Sequence, residues 1–222
     1  MYLFEGDRAD DIWREAVLTL KNQGGSRQPS RIGFTRELLT ATFVLRNPRE
    51  RWVATREPAL SVAFAIVEVV EIVNGRRDSR FLNFFNPALP LFAGRGPEYH
   101  GAYGHRLRSN FGFDQIHRAF LALQNNPESR QVVLQMWDPS IDYPNAEGAP
   151  SAPDIPCNVC SLLKVRNGKL HWTQVVRSND LFRGVPYNFV QFTSLQEIMA
   201  GWGAGWDLTR RSATVFTCTK TH

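Results

Sequence analysis

Two cysteines three residues apart, Cys157 and Cys160 in "DIPCNVC", are the residues of this chain whose types and spacing most directly raise a chemistry. Cys-x-x-Cys can be a redox pair, half of a zinc site, or two unrelated thiols. Cys218 and His222 complete a zinc set on paper, but Cys218 stands 58 residues beyond Cys160. A redox pair opens a helix after a strand, whereas a strand pattern follows here. A third reading is a single nucleophile. Cys157 follows Pro156 at the start of a strand, where a neighbouring cation would favour its thiolate. The alternative is a structural thiol, and the local residues leave both open.

Three further groups stand out by their surroundings. Glu68 lies in "LSVAFAIVEVVEIVNG", a helical run otherwise made of Val, Ala, Ile and Phe. A carboxylate there is either at the solvent edge or buried and functional. Glu71, one turn on, has the same choice, and one of the two can simply be exposed. Tyr103 sits in the glycine-bearing loop "YHGAYGHRLR", where a structural aromatic is the default.

The elements that must hold these groups follow from periodicity. Amphipathic spacing predicts a helix over 7–22, with apolar positions Ile12, Trp13, Ala16, Val17 and Leu20. "ELLTATFVLRNPRER" reads as a strand ending in a turn at Asn47-Pro48. Residues 60–74 form an apolar helix closed by Gly75, and "FDQIHRAFLALQNNP" a further helix. "RQVVLQMWDP" reads as a buried strand, and 138–156 as a loop with five prolines. A last helix covers 188–201. Helices and strands mix without regular βαβ spacing, so the fold class is α+β.

Between "NVCSLLKV" and "KLHWTQVVRS" stands Asn167-Gly168, a strong two-residue hairpin signal. In such a hairpin, residues whose numbers sum to 335 face each other. Cys157 then lies opposite Ser178, and one β-bulge would bring Arg177 opposite it instead. A thiol, a hydroxyl and a guanidinium therefore converge at the hairpin's open end. On a regular strand, residues three apart point to opposite faces, which separates Cys157 from Cys160. The separation holds unless Cys157, which follows Pro156, lies on a turn, and the nucleophile and structural readings of Cys157 both stay open.

Length and composition bound the rest. The 222 residues are ample for one core, and no apolar run is long enough to span a membrane. The start lacks a basic region followed by an apolar stretch, so it does not read as a secretion signal. Three cysteines without that signal point to a reducing, cytoplasmic setting. The net charge is +5, with arginine far above lysine, and guanidinium suits phosphate. The excess can mean nucleic acid, a phosphorylated small molecule or only solubility, and the basic residues are scattered, with no continuous nucleic-acid stripe.

The segment "DIPCNVCSLLKVRNGKLHWTQVVRSNDLFRGVPYNFVQFTSLQEIMAG" resembles the thymidylate synthase superfamily. That family has Pro-Cys, a hairpin, an Arg-Ser-x-Asp motif and then Gly-x-Pro-[FY]-Asn. Upstream, "SRIGFTRE", "EVVEIVNG", "GAYGHRLR" and "NNPESRQVVLQMWDP" resemble further family segments, over roughly residues 26–222. The resemblance implies a single domain over 1–222, a mixed sheet packed with helices, and a sheet-to-sheet homodimer. It implies one-carbon transfer from 5,10-methylenetetrahydrofolate to C5 of a pyrimidine nucleoside monophosphate, without a metal. Carried over, Cys157 adds to C6 of the base, which leaves Cys160 to core packing, and Asn188 bonds N3 and O4. Glu68, chosen over Glu71 by its spacing to Gly75, organises a proton relay. Tyr103 assists removal of the C5 proton, and Asp180 orders the folate site. Arg31, Arg177, Ser178 and a partner subunit's Arg130 hold the phosphate, and His222 contacts the ribose. The family continues beyond the ribose motif into a closing tail, so either the sequence continues after His222 or the protein lacks this lid.

Three departures refine the expectation. Gln131 stands where the family usually pairs a second arginine, and Asn158 where a histidine usually follows the nucleophile. "RFLNFFNPALPLF" replaces the tryptophan-rich loop that covers the folate in methylating members. A looser or more polar cover lets water add to the exocyclic methylene, giving hydroxymethyl in place of methyl. Together with the "SRQ" and "VVRSND" forms, this favours a hydroxymethylase of dUMP, or of dCMP, over a methylating enzyme. A zinc-bearing nucleic-acid-binding module is the remaining alternative.

Overall fold

A long mixed sheet with helices against one face carries the site. The computed structural model describes residues 1–23, 25–30, 33–202, 206 and 214–221. Strand β1 (Tyr2–Gly6) leads into helix α1 (Ala9–Gln23), and β2 (Ser26–Ser30) folds back on β3 (Gly33–Leu45). Helices α2 (Val62–Asn74), α3 (Ser79–Phe85), α4 (Pro90–Ala93), α5 (Tyr103–Arg108) and α6 (Gln115–Asn125) follow. Then come β4 (Val133–Gln135), α7 (Pro139–Asp142), the pair β5 (Asn158–Arg166) and β6 (Lys169–Val176), α8 (Val185–Trp202) and β7 (Thr214–Thr221). Strand order is β1-β3-β7-β6-β5-β4, with β2 paired to β3. The β1–β3 and β6–β7 pairs are parallel and the others antiparallel. The α+β expectation and the main helices therefore hold.

Local chemistry explains the boundaries. Ser61 accepts from the Phe64 N–H to start α2. Gly75, at φ 68°, ends it, with Gly75 N–H bonded to Ile72 and Arg76 N–H to Glu71. Helix α8 starts three residues before the predicted Asn188, because Pro186 sits in the first turn, where its missing N–H costs nothing. The expected strand around "RQVVLQMWDP" shrinks to three residues. The buried Gln115 side chain takes both backbone groups of Gln135 (2.7 and 2.9 Å), and Val133 is half-exposed on a sheet edge. The proline-rich segment includes the short α7.

Helix α8 is apolar on most sides and packs between β6 and α2, as a central helix should. Trp172, Phe189, Phe192, Phe43 and Leu45 form the core around it. Phe43 meets Phe189 edge-on at 6.2 Å, and Trp172 meets Phe192 at 6.4 Å. The Trp13 indole donates to the Leu181 carbonyl at 2.7 Å, which ties α1 to the segment entering α8. Strand β6 alternates as a half-covered strand does, with Leu170, Trp172, Gln174 and Val176 facing the helices. The opposite sheet face exposes apolar side chains, including Leu3, Val133 and Leu162.

Candidate functional site

Asn167 and Gly168 both take positive φ (51° and 69°), the backbone of a type I′ turn. Pairs summing to 335 follow as far as Cys160 opposite Val175, and then the register shifts so that Asn158 faces Val176. The bulge at Val159 brings Arg177 opposite Cys157, with Arg177 N–H donating to the Cys157 carbonyl at 2.9 Å. The Arg177 guanidinium also binds the carbonyls of Pro156 (2.9 Å) and Ile155 (3.1 Å). It thus clamps the turn that presents the thiol.

The two cysteines differ in their surroundings. Cys157 packs against the hydrophobic core. Cys160 does not take the expected place in the core: its strand partner Val175 alternates with the buried Gln174 and Val176, so Cys160 lies half-buried on the outward face. Burial raises the Cys160 thiol above its ordinary pKa, which favours the neutral form. His222, Arg31 and the Cys218 side chain lie outside the described residues.

Two glycines set a cavity beside Tyr103. A Cβ on Gly104 would stand 2.5 Å from the Glu71 carbonyl, so only glycine lets α5 approach the end of α2. A Cβ on Gly101 would stand 2.9 Å from the Asp154 carbonyl, and its N–H donates to Asp154 Oδ2 at 2.9 Å. The resulting cavity of about 200 Å3 is lined by Glu68, Glu71, Tyr103, Asp154 and Gln191. Leu82, Leu89 and Ala93 add an apolar wall, and Arg76, Arg77 and Asp78 a charged one. Below it, a buried Arg106–Asp142 pair at 2.9 Å, joined by His100 at 2.6 Å, pins the Tyr103 loop to α7.

Electrostatics bind these groups into one cluster. Burial pushes the Glu68 carboxyl up to about 8, opposed by a hydrogen bond from Gln191. Its Oε2 is buried without a donor, and so is Gln191 Oε1. Burial raises the Tyr103 hydroxyl strongly, and negative charge on Cys157 raises it further; Asn158 opposes this, while Asp154 and Glu68 add to it. Tyr103 therefore lies within electrostatic reach of Cys157 and Glu68 together. The Asn158 amide, fully buried beside it, falls short of a formed hydrogen bond. Burial also raises Asp154, against the pull of the Gly101 N–H.

Neither acid of α2 is exposed. Glu71 is 4% exposed and both of its carboxylate oxygens lack a hydrogen bond, with Arg76 Nε at 3.4 Å. Burial raises its pKa, Arg76 opposes this and Asp78 adds to it. Helices α3 and α4 hide the face that periodicity leaves ambiguous. Gln191 and Asp154 also escaped the sequence reading. Gln191 falls one turn after Asn188 on α8, which is the only signal it offers.

The remaining predicted residues sit around this cluster. Asn188 is buried in the first turns of α8. Ser178 follows Arg177 and is half-buried. Asp180 Oδ1 accepts from the N–H groups of Phe182 (2.8 Å) and Arg183 (2.7 Å), closing the turn into α8. It lines a separate cavity of about 450 Å3 with Val17, Leu20 and Phe182. Arg130 is exposed on the loop before β4. Among the described residues, no helix is long and apolar enough to cross a membrane.

A family model described as thymidylate synthase matches residues 23–216, so the chain belongs to the thymidylate synthase family. That family carries out folate-dependent transfer to C5 of pyrimidine nucleotides. Among its relatives, the chain is 29% identical over 213 residues to "Deoxyuridylate hydroxymethyltransferase" of Bacillus phage SP01, covering 91% of this chain and 54% of the relative. It is 33% identical over 161 residues to the protein of that name in Pseudomonas phage M6 (72% and 44%). It is 28% identical over 187 residues to "Putative thymidylate synthase" of Methanothermobacter marburgensis strain Marburg (82% and 76%). The chain spans about half the length of these phage relatives.

Proposed function

We propose that the protein transfers a hydroxymethyl group to C5 of dUMP, using methylenetetrahydrofolate and acting in the cytoplasm. The observation that carries this reading is the cavity joining Glu68 and Tyr103 under a part-charged cover, with Cys157 within electrostatic reach of Tyr103. Its apolar wall, Leu82, Leu89 and Ala93, faces the acceptor-lined side with Glu68 and Gln191. That combination suits a flat heterocycle bearing N–H donors. When bound there, the folate supplies the one-carbon unit.

The chain's own residues do the rest. Cys157 adds to C6 of the base, which makes C5 nucleophilic. Asn188, buried on α8, bonds the N3–O4 edge where negative charge develops. Glu68, with its raised pKa, exchanges protons near neutral pH, and Tyr103 assists removal of the C5 proton. Arg177, Ser178, Arg31 and the Arg130 of a second copy hold the phosphate. His222 contacts the ribose, and Asp180 orders the segment beside the folate site. The uncovered apolar sheet face supports a homodimer that shares this phosphate site.

Methylation to dTMP is the second reading, favoured by the apolar part of the cover and by the relative from Methanothermobacter. The test uses 5-tritiated dUMP with methylenetetrahydrofolate. Tritium release should be abolished in Cys157→Ser, and mass analysis of the wild-type product should show 5-hydroxymethyl-dUMP. Release that persists in the variant rejects Cys157 as nucleophile, and a dTMP product moves the assignment to methylation.

A further inference from the structure

Glu71 is a carboxylate without an evident reason to be where it is. It is 4% exposed, both oxygens lack hydrogen-bond donors, and it lines the same cavity as Glu68. Its ion-pair partner among the described residues, Arg76, stands 3.4 Å from Oε1 without hydrogen-bond geometry and is itself bonded to Asp78 at 2.8 Å. A buried carboxylate so poorly compensated costs stability, so the fold gains nothing by keeping it.

Position separates its task from that of Glu68. Glu68 acts on Tyr103 together with Cys157 and receives a hydrogen bond from Gln191. Glu71 lies one helical turn further, beside Arg76 and Asp78, and lines the same cavity as Leu82, Leu89 and Ala93. The cavity of about 200 Å3 has room for several waters at about 30 Å3 each.

Resting on the hydroxymethylase reading, we propose that Glu71 holds the water that becomes the product hydroxyl and accepts its proton. The water oxygen bonds the exocyclic methylene carbon of the Cys157-bound base. One water proton passes to the Glu71 carboxylate. The electron pair of the C5–methylene double bond moves to O4, giving an enolate. Return of that pair re-forms the C5–C6 double bond and expels the Cys157 thiolate. Arg76 opposes the upward pull of burial and of Asp78 on the Glu71 carboxyl, which favours the ionised form that takes the proton.

The test measures tritium release and hydroxymethyl product in the same reaction, from 5-tritiated dUMP with methylenetetrahydrofolate. In Glu71→Gln, product formed per tritium released should fall by at least about ten-fold, while release itself changes by less than about three-fold. Glu71→Asp should recover part of the ratio. Arg76→Gln, at a half-exposed residue, should lower the ratio in the same direction with the fold intact. The melting temperature of Glu71→Met should equal or exceed that of the wild type. An unchanged ratio in Glu71→Gln overturns the proposal. A lowered melting temperature in Glu71→Met with unchanged ratios in the other variants assigns Glu71 to a structural ion pair, and overturns it too. Wild-type enzyme that releases tritium but makes only dTMP defeats the hydroxymethylase reading itself, and Glu71 with it.

Discussion

The backbone N–H of Arg177 donates to the carbonyl of Cys157 at 2.9 Å, across a bulge one residue from the hairpin's open end. The guanidinium then reaches back to Pro156 and Ile155. One side chain thereby fixes the turn of the proposed nucleophile, and it is also one of the residues proposed to hold the phosphate. Arg177→Lys should lose the fork, because an ammonium cannot span both carbonyls in the same way. We expect a fall in kcat of about ten-fold along with a rise in KM for the nucleotide. Arg177 is exposed, so the cost in stability should be only about 1 kcal/mol. Steady-state kinetics and urea titration measure the two separately.

Glu68 ties stability to pH. Its folded pKa of about 8 exceeds the ordinary 4.5, so the folded protein holds a proton that the unfolded chain releases. Between those values stability falls as pH rises, by at most about 5 kcal/mol at 1.36 kcal/mol per unit. Glu68→Gln should therefore melt higher than wild type at pH 8, and the difference should vanish near pH 4.5. A difference that grows toward acid would reverse the sign and reject the assignment.

Gly104 and Gly201 make a paired test of close approach. Alanine at 104 drives a Cβ to 2.5 Å from the Glu71 carbonyl and should cost about 1–3 kcal/mol. Alanine at 201, in α8 with nothing within 4 Å, should stabilise by about 0.5–1 kcal/mol. Thermal melts of the two variants should move in opposite directions.

The proposed homodimer predicts the effect of a charge on the uncovered sheet face. Leu162→Asp should leave the monomer folded, since Leu162 is 37% exposed, yet give a single-subunit mass in sedimentation equilibrium. Nucleotide KM should rise with it, because the phosphate site would lose its second copy's arginine. A variant that sediments as wild type removes this face from consideration.

The hairpin was legible because Asn167-Gly168 fixes its register within the sequence, and the bulge was one of two outcomes that arithmetic allowed. Helices α1, α2 and α6 were legible from apolar spacing and their caps. The shortness of β4 was not, because a side chain 20 residues upstream, Gln115, takes the backbone groups of Gln135. The burial of Glu71 depends on α3 and α4 folding over α2, a tertiary event that periodicity cannot report. The same holds for Asp154, which enters the site only because Gly101 has no side chain to keep it away. Cys160 was misplaced because the sheet's second face, though apolar, faces away from the helices.

Strand β7 lies between β3 and β6, parallel to β6 and antiparallel to β3. During synthesis the earlier strands can form only two separate pieces, β1-β3-β2 and β4-β5-β6. The ribosome must release residues 214–221 before those pieces become one sheet. A nascent chain therefore exposes two unpaired strand edges until this segment emerges, and the Cys157 hairpin stays on a detached piece until then.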